Sequence, residues 1–169
     1  NSMDNTLNVV NKIKVKHDNI HIFVRNSKPS LPMSIYEGIE RSSFENVMWL
    51  DADGSMPAFV VKQLVEKLGD NRDSVIIGSR FVEGGGYKGV ESDGRNSFFK
   101  TIKNIYRSED SLIAVFLSRI FNFLLIFLLK GNVKDVTSGF IVGKKDYFEK
   151  KSFSRANYGD YFVYLVADL

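Results

Sequence analysis

The sequence contains no cysteine and only two histidines among its 169 residues. Without cysteine the chain can form neither disulfide bonds nor thiolate metal sites, and it fits a reducing compartment. His17 and His21 leave little for a zinc site built on imidazole ligands.

The sequence also lacks an uncharged apolar run of the roughly 20 residues that span a bilayer. Its most apolar stretch, residues 112–129, is interrupted by Arg119 and Asn122. We therefore expect a helix that is not transmembrane. Two interpretations stay open: a helix buried in the protein core, or one that lies on a membrane surface.

A strong excess of one charge is missing as well, because the formal net charge is +3. This charge favours a polyanionic partner such as a diphosphate or an anionic membrane face, but it is small for a dedicated nucleic-acid binder. No nucleic-acid partner is expected. Hydrophobic residues make up 44% of the chain, which is typical of a single folded domain. The first residue is Asn1 instead of Met, and the apolar run 161–169 stops without a cap or breaker, so we expect a domain truncated at both ends.

Helical and strand-like patterns alternate along the first half of the chain. This alternation predicts an α/β fold with a mostly parallel sheet flanked by helices, and a ligand crevice at the carboxyl ends of its strands. The apolar run at 46–50 is typical of a central strand covered on both faces, and glycine-rich residues 83–89 predict a loop that could act as a lid. The predicted helices are 4–16, 33–39 and 57–68, and the predicted strands are 20–24, 46–50, 75–77 and 141–142.

Asp51 and Asp53 are alternate residues at the mouth of the predicted strand 46–50. Two carboxylates placed there can share one hard cation, and Mg²⁺ or Mn²⁺ would suit the oxygen ligands. The alternative is a solvated turn, since Asp-Gly is common in turns.

Arg80 follows the next predicted strand, and a polar segment at 135–140 precedes the strand 141–142. At a strand end, Arg80 would place a permanent positive charge beside the crevice and could bind phosphate. A surface salt bridge is the alternative for Arg80, and a simple turn would explain residues 135–140 equally well.

Taken together and in order, these segments resemble the motifs of one enzyme family. Residues 1–6 resemble the tail of its nucleotide motif Asp-Asp-Gly-Ser-Xaa-Asp-Gly-Thr, 50–53 its metal motif, 77–81 its Ile-Gly-Ser-Arg-Tyr segment and 135–140 its Asp-Pro-Thr-Ser-Gly-Phe segment. The family is that of the inverting family 2 glycosyltransferases with the Rossmann-like GT-A fold. Within it, the chain is most similar to polyprenyl-phosphate sugar transferases akin to dolichyl-phosphate mannose synthase.

This resemblance implies a single glycosyltransferase catalytic domain over residues 1–169, with the family's N-terminal strand missing. It implies inverting transfer of a sugar from a GDP- or UDP-sugar to a polyprenyl or dolichyl phosphate, with Mg²⁺ or Mn²⁺, at the cytoplasmic face of a membrane. The implied roles are nucleotide-sugar binding by Ser2, Asp4, Asp51 and Ala52, metal binding by Asp51 and Asp53, catalysis by Asp53 and Arg80, and acceptor-phosphate binding by Arg119 and Ser138.

The sequence departs from the family pattern at several positions. Pro32 stands in a segment that is usually Gly-Leu-Gly, Ser55 stands where glutamine is frequent, and Tyr164 stands where an acidic residue is common. The second phosphate-binding arginine stays open among Arg95, Arg107 and Arg119. Two alternatives therefore remain: a family 2 enzyme with a hydroxyl acceptor, which would need a base, and a non-catalytic, membrane-associated relative.

Overall fold

The structure is a computed structural model that describes residues 4–82, 112–129 and 133–169, with side chains of the second segment described from Leu117 onward. In chain order its helices and strands are α1 (Thr6–Lys14), α2 (Leu31–Arg41), β1 (Asn46–Trp49), α3 (Ala58–Asp70), β2 (Ile76–Ile77), α4 (Leu112–Leu129), β3 (Ile141–Lys144), α5 (Lys150–Ser154) and α6 (Tyr161–Asp168). A short 3-10 helix, Lys145–Tyr147, follows β3.

The described sheet has three strands in the order β1-β3-β2, and β3 is antiparallel to both neighbours. The prediction of a mostly parallel sheet is therefore wrong for this part of the chain, and β1 lies at an edge of the described sheet instead of its centre. The apolar pattern of a buried strand is the same in either direction. For this reason the pattern could not show that β3 lies between β1 and β2 and runs antiparallel to both.

This antiparallel strand brings three loops to one edge of the sheet. Trp49 at the end of β1 and Ile77 at the end of β2 are both paired with Ile141 at the start of β3. The loops that follow β1 and β2 therefore meet the loop that precedes β3. All three loops carry sequence motifs that were singled out above.

Helices cover both faces of the sheet, as predicted, because its side chains alternate between two hydrophobic clusters. Ile141 packs on one face with α2, α5 and α6, and Val142 packs on the other face with α3. Phe153 of α5 and Leu165 of α6 are fully buried in the first cluster. The molecule thus has the layered α/β architecture that was expected, although the strand directions differ.

Two N-terminal predictions have different outcomes. Helix α1 forms within the predicted range 4–16, but none of its side chains is buried. Residues 20–24 form neither helix nor strand, so the predicted strand is wrong. An apolar run becomes a strand only where a neighbour takes up its backbone hydrogen bonds, and no strand within the described ranges pairs with it.

Candidate functional site

A cleft of about 600 Å³ opens at this edge of the sheet. One side is formed by the acidic loop after β1, and other parts are formed by the segment before β3 and by the start of α6. Its lining residues are Leu31, Asp51, Ala52, Asp53, Thr137, Ser138, Gly139, Tyr158, Gly159, Tyr161 and Phe162. The fold therefore brings two of the singled-out motifs, separated by more than 80 positions, to one cavity.

The acidic loop is a tight turn that leads into α3. The Asp53 Oδ1 atom accepts a hydrogen bond from the Ser55 backbone N–H at 2.9 Å, and the Asp51 N–H donates to the Met56 sulfur at 3.3 Å. Gly54 has a φ of +77°, a conformation that favours glycine. The segment is thus a turn, as the alternative interpretation expected, and this turn presents both aspartates to the cleft. Metal binding by Asp51 and Asp53 stays a prediction.

The two carboxylates suit a hard divalent cation. Asp51 and Asp53 are exposed and line the same cleft. Within the described ranges no group of three or more histidine or acidic side chains could hold a metal ion by itself. Mg²⁺ is commonly bound by one or two carboxylates together with substrate phosphates, and the donor set offered here fits that arrangement.

Arg80 is held by a buried carboxylate. Its Nε donates to the Asp135 Oδ2 atom at 2.9 Å and its Nη2 to the Asp135 Oδ1 atom at 3.0 Å, and Nη2 also donates to the Thr137 hydroxyl. The Asp135 side chain is fully buried, whereas 31% of the Arg80 side chain is exposed. Arg80 is not one of the cleft-lining residues, and its contact with phosphate stays a prediction.

The pKa of Asp135 shows how the pair is balanced. Burial raises this pKa, but the hydrogen bonds and the charge of Arg80 outweigh burial, so that the pKa lies below its ordinary value. Asp135 therefore stays ionised at neutral pH. It acts as a fixed anchor for Arg80 and, through hydrogen bonds from the Thr137 N–H and hydroxyl at 3.1 Å each, for the cleft wall.

Ser138 and Gly139 complete that wall. The Ser138 hydroxyl donates to the Gly78 carbonyl oxygen, which ties the segment before β3 to the end of β2. Gly139 has a φ of +68°, so a side chain there would be strained. Ser138 lies in the cleft as expected, and its contact with an acceptor phosphate stays a prediction.

Tyr161 lines the cleft at the start of α6 and is hydrogen-bonded to Trp49 at the end of β1. The Trp49 Nε1–H donates to the Tyr161 hydroxyl oxygen at 3.0 Å, and the Tyr161 ring stacks on Phe153. Burial, the largest cause, raises the pKa of Tyr161 to about 12, and the nearby charge of Asp51 acts in the same direction. Nothing in the sequence indicated the pairing of Tyr161 with Trp49.

Asn122 is a further residue that the sequence did not reveal. It appeared there as an interruption of an apolar helix, but it is 4% exposed. Its side chain donates to the Lys134 carbonyl oxygen at 2.8 Å and accepts from the Val136 N–H at 2.9 Å. The Asn122 amide thus binds the backbone of the residues on either side of Asp135. The only sign of this role in the sequence was a lone polar residue in an apolar helix.

The remaining predicted residues lie elsewhere. Asp4 is exposed and its carboxylate accepts a hydrogen bond from the Thr6 N–H at 3.0 Å, whereas Ser2 is outside the described residues. Arg119 is exposed on α4. Arg95, Arg107 and the predicted lid at 83–89 also lie outside the described residues.

Comparison with known protein families matches residues 1–151 to glycosyl transferase family 2. The chain belongs to this family. A family 2 glycosyltransferase transfers a sugar from a nucleotide-sugar donor to an acceptor, commonly uses a divalent metal, and has the α/β fold called GT-A. The matched range includes the acidic loop and the segment before β3, which form two parts of the cleft, whereas the cleft residues Tyr158, Gly159, Tyr161 and Phe162 lie beyond it.

Proposed function

We propose that this glycosyltransferase transfers a sugar from a GDP- or UDP-sugar to a polyprenyl or dolichyl phosphate, with inversion and with Mg²⁺ or Mn²⁺. The observation that carries the proposal is the cleft in which Asp51 and Asp53 face the wall formed by Thr137, Ser138 and Gly139. A family 2 enzyme needs one cavity for the donor diphosphate and the attacking group. This cleft supplies it within the described residues.

On the donor side, Asp51 and Asp53 would hold the metal. When bound, a divalent ion neutralises the charge that develops on a departing nucleoside diphosphate. The chain itself orients the Asp53 carboxylate through the Ser55 N–H, and the Met56 sulfur accepts a hydrogen bond from the Asp51 backbone N–H. Arg80, if its partly exposed guanidinium also reaches a phosphate oxygen, would add a permanent positive charge on the far side of Thr137.

On the acceptor side, the titratable residues favour a nucleophile that is already ionised. The described cleft lining contains two aspartates and two tyrosines as its titratable side chains. A pKa of about 12 keeps Tyr161 protonated, and the aspartates are assigned to the metal. A phosphate acceptor is ionised near neutral pH and needs no base, whereas a hydroxyl acceptor would require one.

Helix α4 supports a lipid acceptor and a place at the cytoplasmic face of a membrane. Its outward side is apolar, and this exposed apolar face includes Phe127 at 73% and Leu128 at 71% exposure. No helix in the described segments is both long enough and apolar enough to cross a membrane. An exposed apolar helix face is typical of proteins that lie in the membrane interface. The face consists of Leu117, Ile120, Phe121, Phe123, Leu124, Phe127 and Leu128.

The departures from the family pattern do not count against activity. Pro32 is buried at the start of α2, and the Tyr164 ring lies under the Arg155 guanidinium, 4.6 Å from carbon to ring centroid. Neither is one of the described residues that line the cleft. Neither departure therefore removes one of the described groups that line the cleft.

A panel of donors and acceptors tests the proposal. The purified protein is incubated with GDP-mannose, UDP-glucose or UDP-N-acetylglucosamine and with dolichyl or undecaprenyl phosphate, in MnCl₂, MgCl₂ or EDTA. We expect a glycolipid product for at least one pair with metal and none with EDTA. Transfer to an oligosaccharide hydroxyl but to no lipid phosphate would support the alternative family 2 activity and contradict the lipid acceptor.

A further inference from the structure

The Tyr161 hydroxyl has a hydrogen-bond donor to offer the cleft. An indole N–H can only donate, so in the contact with Trp49 the Tyr161 oxygen is the acceptor. The phenolic hydrogen therefore remains for a second hydrogen bond. Within the described part of the chain no hydrogen bond has the Tyr161 hydroxyl as its donor.

The geometry directs this hydroxyl into the cavity. Tyr161 is 5% exposed, yet it lines the cleft together with Asp51 and Gly139. A Cβ atom placed on Gly139 would lie 3.6 Å from the Tyr161 hydroxyl oxygen. The missing side chain at Gly139 thus leaves space directly in front of the hydroxyl. A buried donor hydrogen without an acceptor is costly, and a bound molecule that supplies the acceptor would remove that cost.

We propose that the Tyr161 hydroxyl donates a hydrogen bond to an acceptor oxygen of the nucleotide-sugar donor bound beside Asp51 and Asp53. Both a sugar hydroxyl and a diphosphate oxygen have the required chemistry. Trp49 fixes the hydroxyl in place, so Tyr161 contributes to donor recognition. The inference rests on the proposed function, because it assigns the cleft to a nucleotide sugar.

The Tyr161 hydroxyl cannot act as a general base in place of donating this hydrogen bond. Burial raises the pKa of Tyr161 to about 12, which keeps the donor hydrogen in place throughout the neutral range. A hydrogen bond to a neutral oxygen contributes about 3- to 10-fold to affinity, and one to a charged phosphate oxygen about 10- to 100-fold. The size of the effect therefore indicates which oxygen is bound.

The test uses Tyr161→Phe in two backgrounds. Tyr161→Phe alone leaves the Trp49 N–H without its acceptor, so the decisive comparison is between Trp49→Phe and the double variant Trp49→Phe/Tyr161→Phe. Tyr36→Phe is the matched control, because Tyr36 is partly buried in the same hydrophobic cluster but does not line the cleft. Thermal unfolding of each variant monitors the fold.

Affinities for GDP, UDP, GDP-mannose and UDP-glucose are measured by isothermal titration calorimetry with MnCl₂. We expect the double variant to bind at least one nucleotide sugar about 3-fold or more weakly than Trp49→Phe does, with Tyr36→Phe unchanged. If the affinity falls for the nucleotide sugar alone, the hydrogen bond is made to the sugar. If the affinity falls equally for the nucleoside diphosphate, the hydrogen bond is made to a diphosphate oxygen. Equal affinities for every probe in the two variants would overturn the inference while leaving the proposed function intact. A wild-type protein that binds none of the four probes would contradict the proposed function, and the inference with it.

Discussion

Arg80 and Asp135, which are 55 positions apart in the chain, form a two-pronged ion pair with N–O distances of 2.9 and 3.0 Å. The pair joins the loop after β2 to the loop before β3. Because Thr137 and Ser138 continue directly from Asp135 into the cleft, the shape of the cleft wall depends on this contact. The permanent charge of the Arg80 guanidinium is thus used first for structure.

Replacing Asp135 by alanine is expected to lower the free energy of unfolding by about 3–5 kcal/mol, since it removes both N–O contacts and the negative charge that compensates the partly buried guanidinium. Asp73→Ala is the control, because Asp73 pairs with Lys144 at an exposed position and surface pairs contribute about 0–1 kcal/mol. Urea unfolding at pH 7 measures both changes. If Asp135→Ala lowers the free energy of unfolding no more than Asp73→Ala does, the structural role of the Arg80–Asp135 pair is contradicted.

The same pair has a defined pH dependence. The pKa of Asp135 is lower in the folded protein than its ordinary value, so its contribution to stability is present above the unfolded pKa of about 4 and is lost as the pH falls through the folded pKa. We expect the difference in unfolding free energy between wild type and Asp135→Asn to be constant from pH 7 to 5. It should shrink below about pH 4. A difference that grows on acidification would have the wrong sign for this mechanism.

Gly78 is required by a close approach to Phe140. A Cβ atom on Gly78 would lie 2.9 Å from the Phe140 Cδ1 atom, and the Gly78 N–H donates to the Phe140 carbonyl oxygen at 2.8 Å. We expect Gly78→Ala to destabilise the protein by about 1–3 kcal/mol through overpacking. Gly69→Ala is the matched control, since it lies in α3 with nothing within 4 Å and should be neutral or slightly stabilising. Equal melting temperatures for the two variants would contradict the clash.

Asn122 connects α4 to the same wall. Asn122→Asp replaces the N–H that bonds the Lys134 carbonyl by an oxygen, and the expected cost is about 1–3 kcal/mol for the buried groups left without partners. Asn11→Asp, at an exposed site on α1, is expected to have little effect. Chemical unfolding of the two variants tests this. Asn122→Asp with wild-type stability would show that the two backbone contacts do not anchor the segment around Asp135.

The exposed apolar face of α4 predicts binding to lipid surfaces. Replacing both Phe127 and Leu128 by serine should lower the affinity for vesicles of phosphatidylcholine and phosphatidylglycerol by about tenfold or more, since each buried side chain of this size contributes about 1.5–3 kcal/mol. Co-sedimentation with the vesicles measures this affinity. Phe59→Ser is the control, because Phe59 is 63% exposed on α3. Unchanged vesicle binding by the double variant would assign the face to another partner.

Much of the local structure could be predicted from the sequence, and the pairing of distant elements could not. The apolar runs that became β1, β2 and β3 and the helix at 112–129 were predicted because their patterns are local. The direction of β3 was missed, since a buried strand looks alike in both directions. The run at 20–24 failed because a strand also needs a neighbour.

The candidate site shows the same division. Asp51, Asp53 and Ser138 were singled out from motifs, and the structure places all three in one cleft. The bond between Arg80 and Asp135 was missed because no spacing rule links residues so far apart. Asn122 and Tyr161 were missed for a related reason: their importance lies in the groups that each one contacts across the fold.

Metal-dependent donor binding tests the central claim, that Asp51 and Asp53 hold the donor diphosphate through a divalent ion. Calorimetric titration of GDP-mannose and UDP-glucose with and without MnCl₂ compares wild type, Asp53→Asn and Asp18→Asn, of which the last is exposed outside the cleft. Asparagine can still accept the Ser55 hydrogen bond, so the fold should be kept. We predict that wild type and Asp18→Asn bind one of the two donors only with metal, and that Asp53→Asn binds it at least about tenfold more weakly at an unchanged melting temperature. Equal metal-dependent affinity for Asp53→Asn and wild type would contradict the claim.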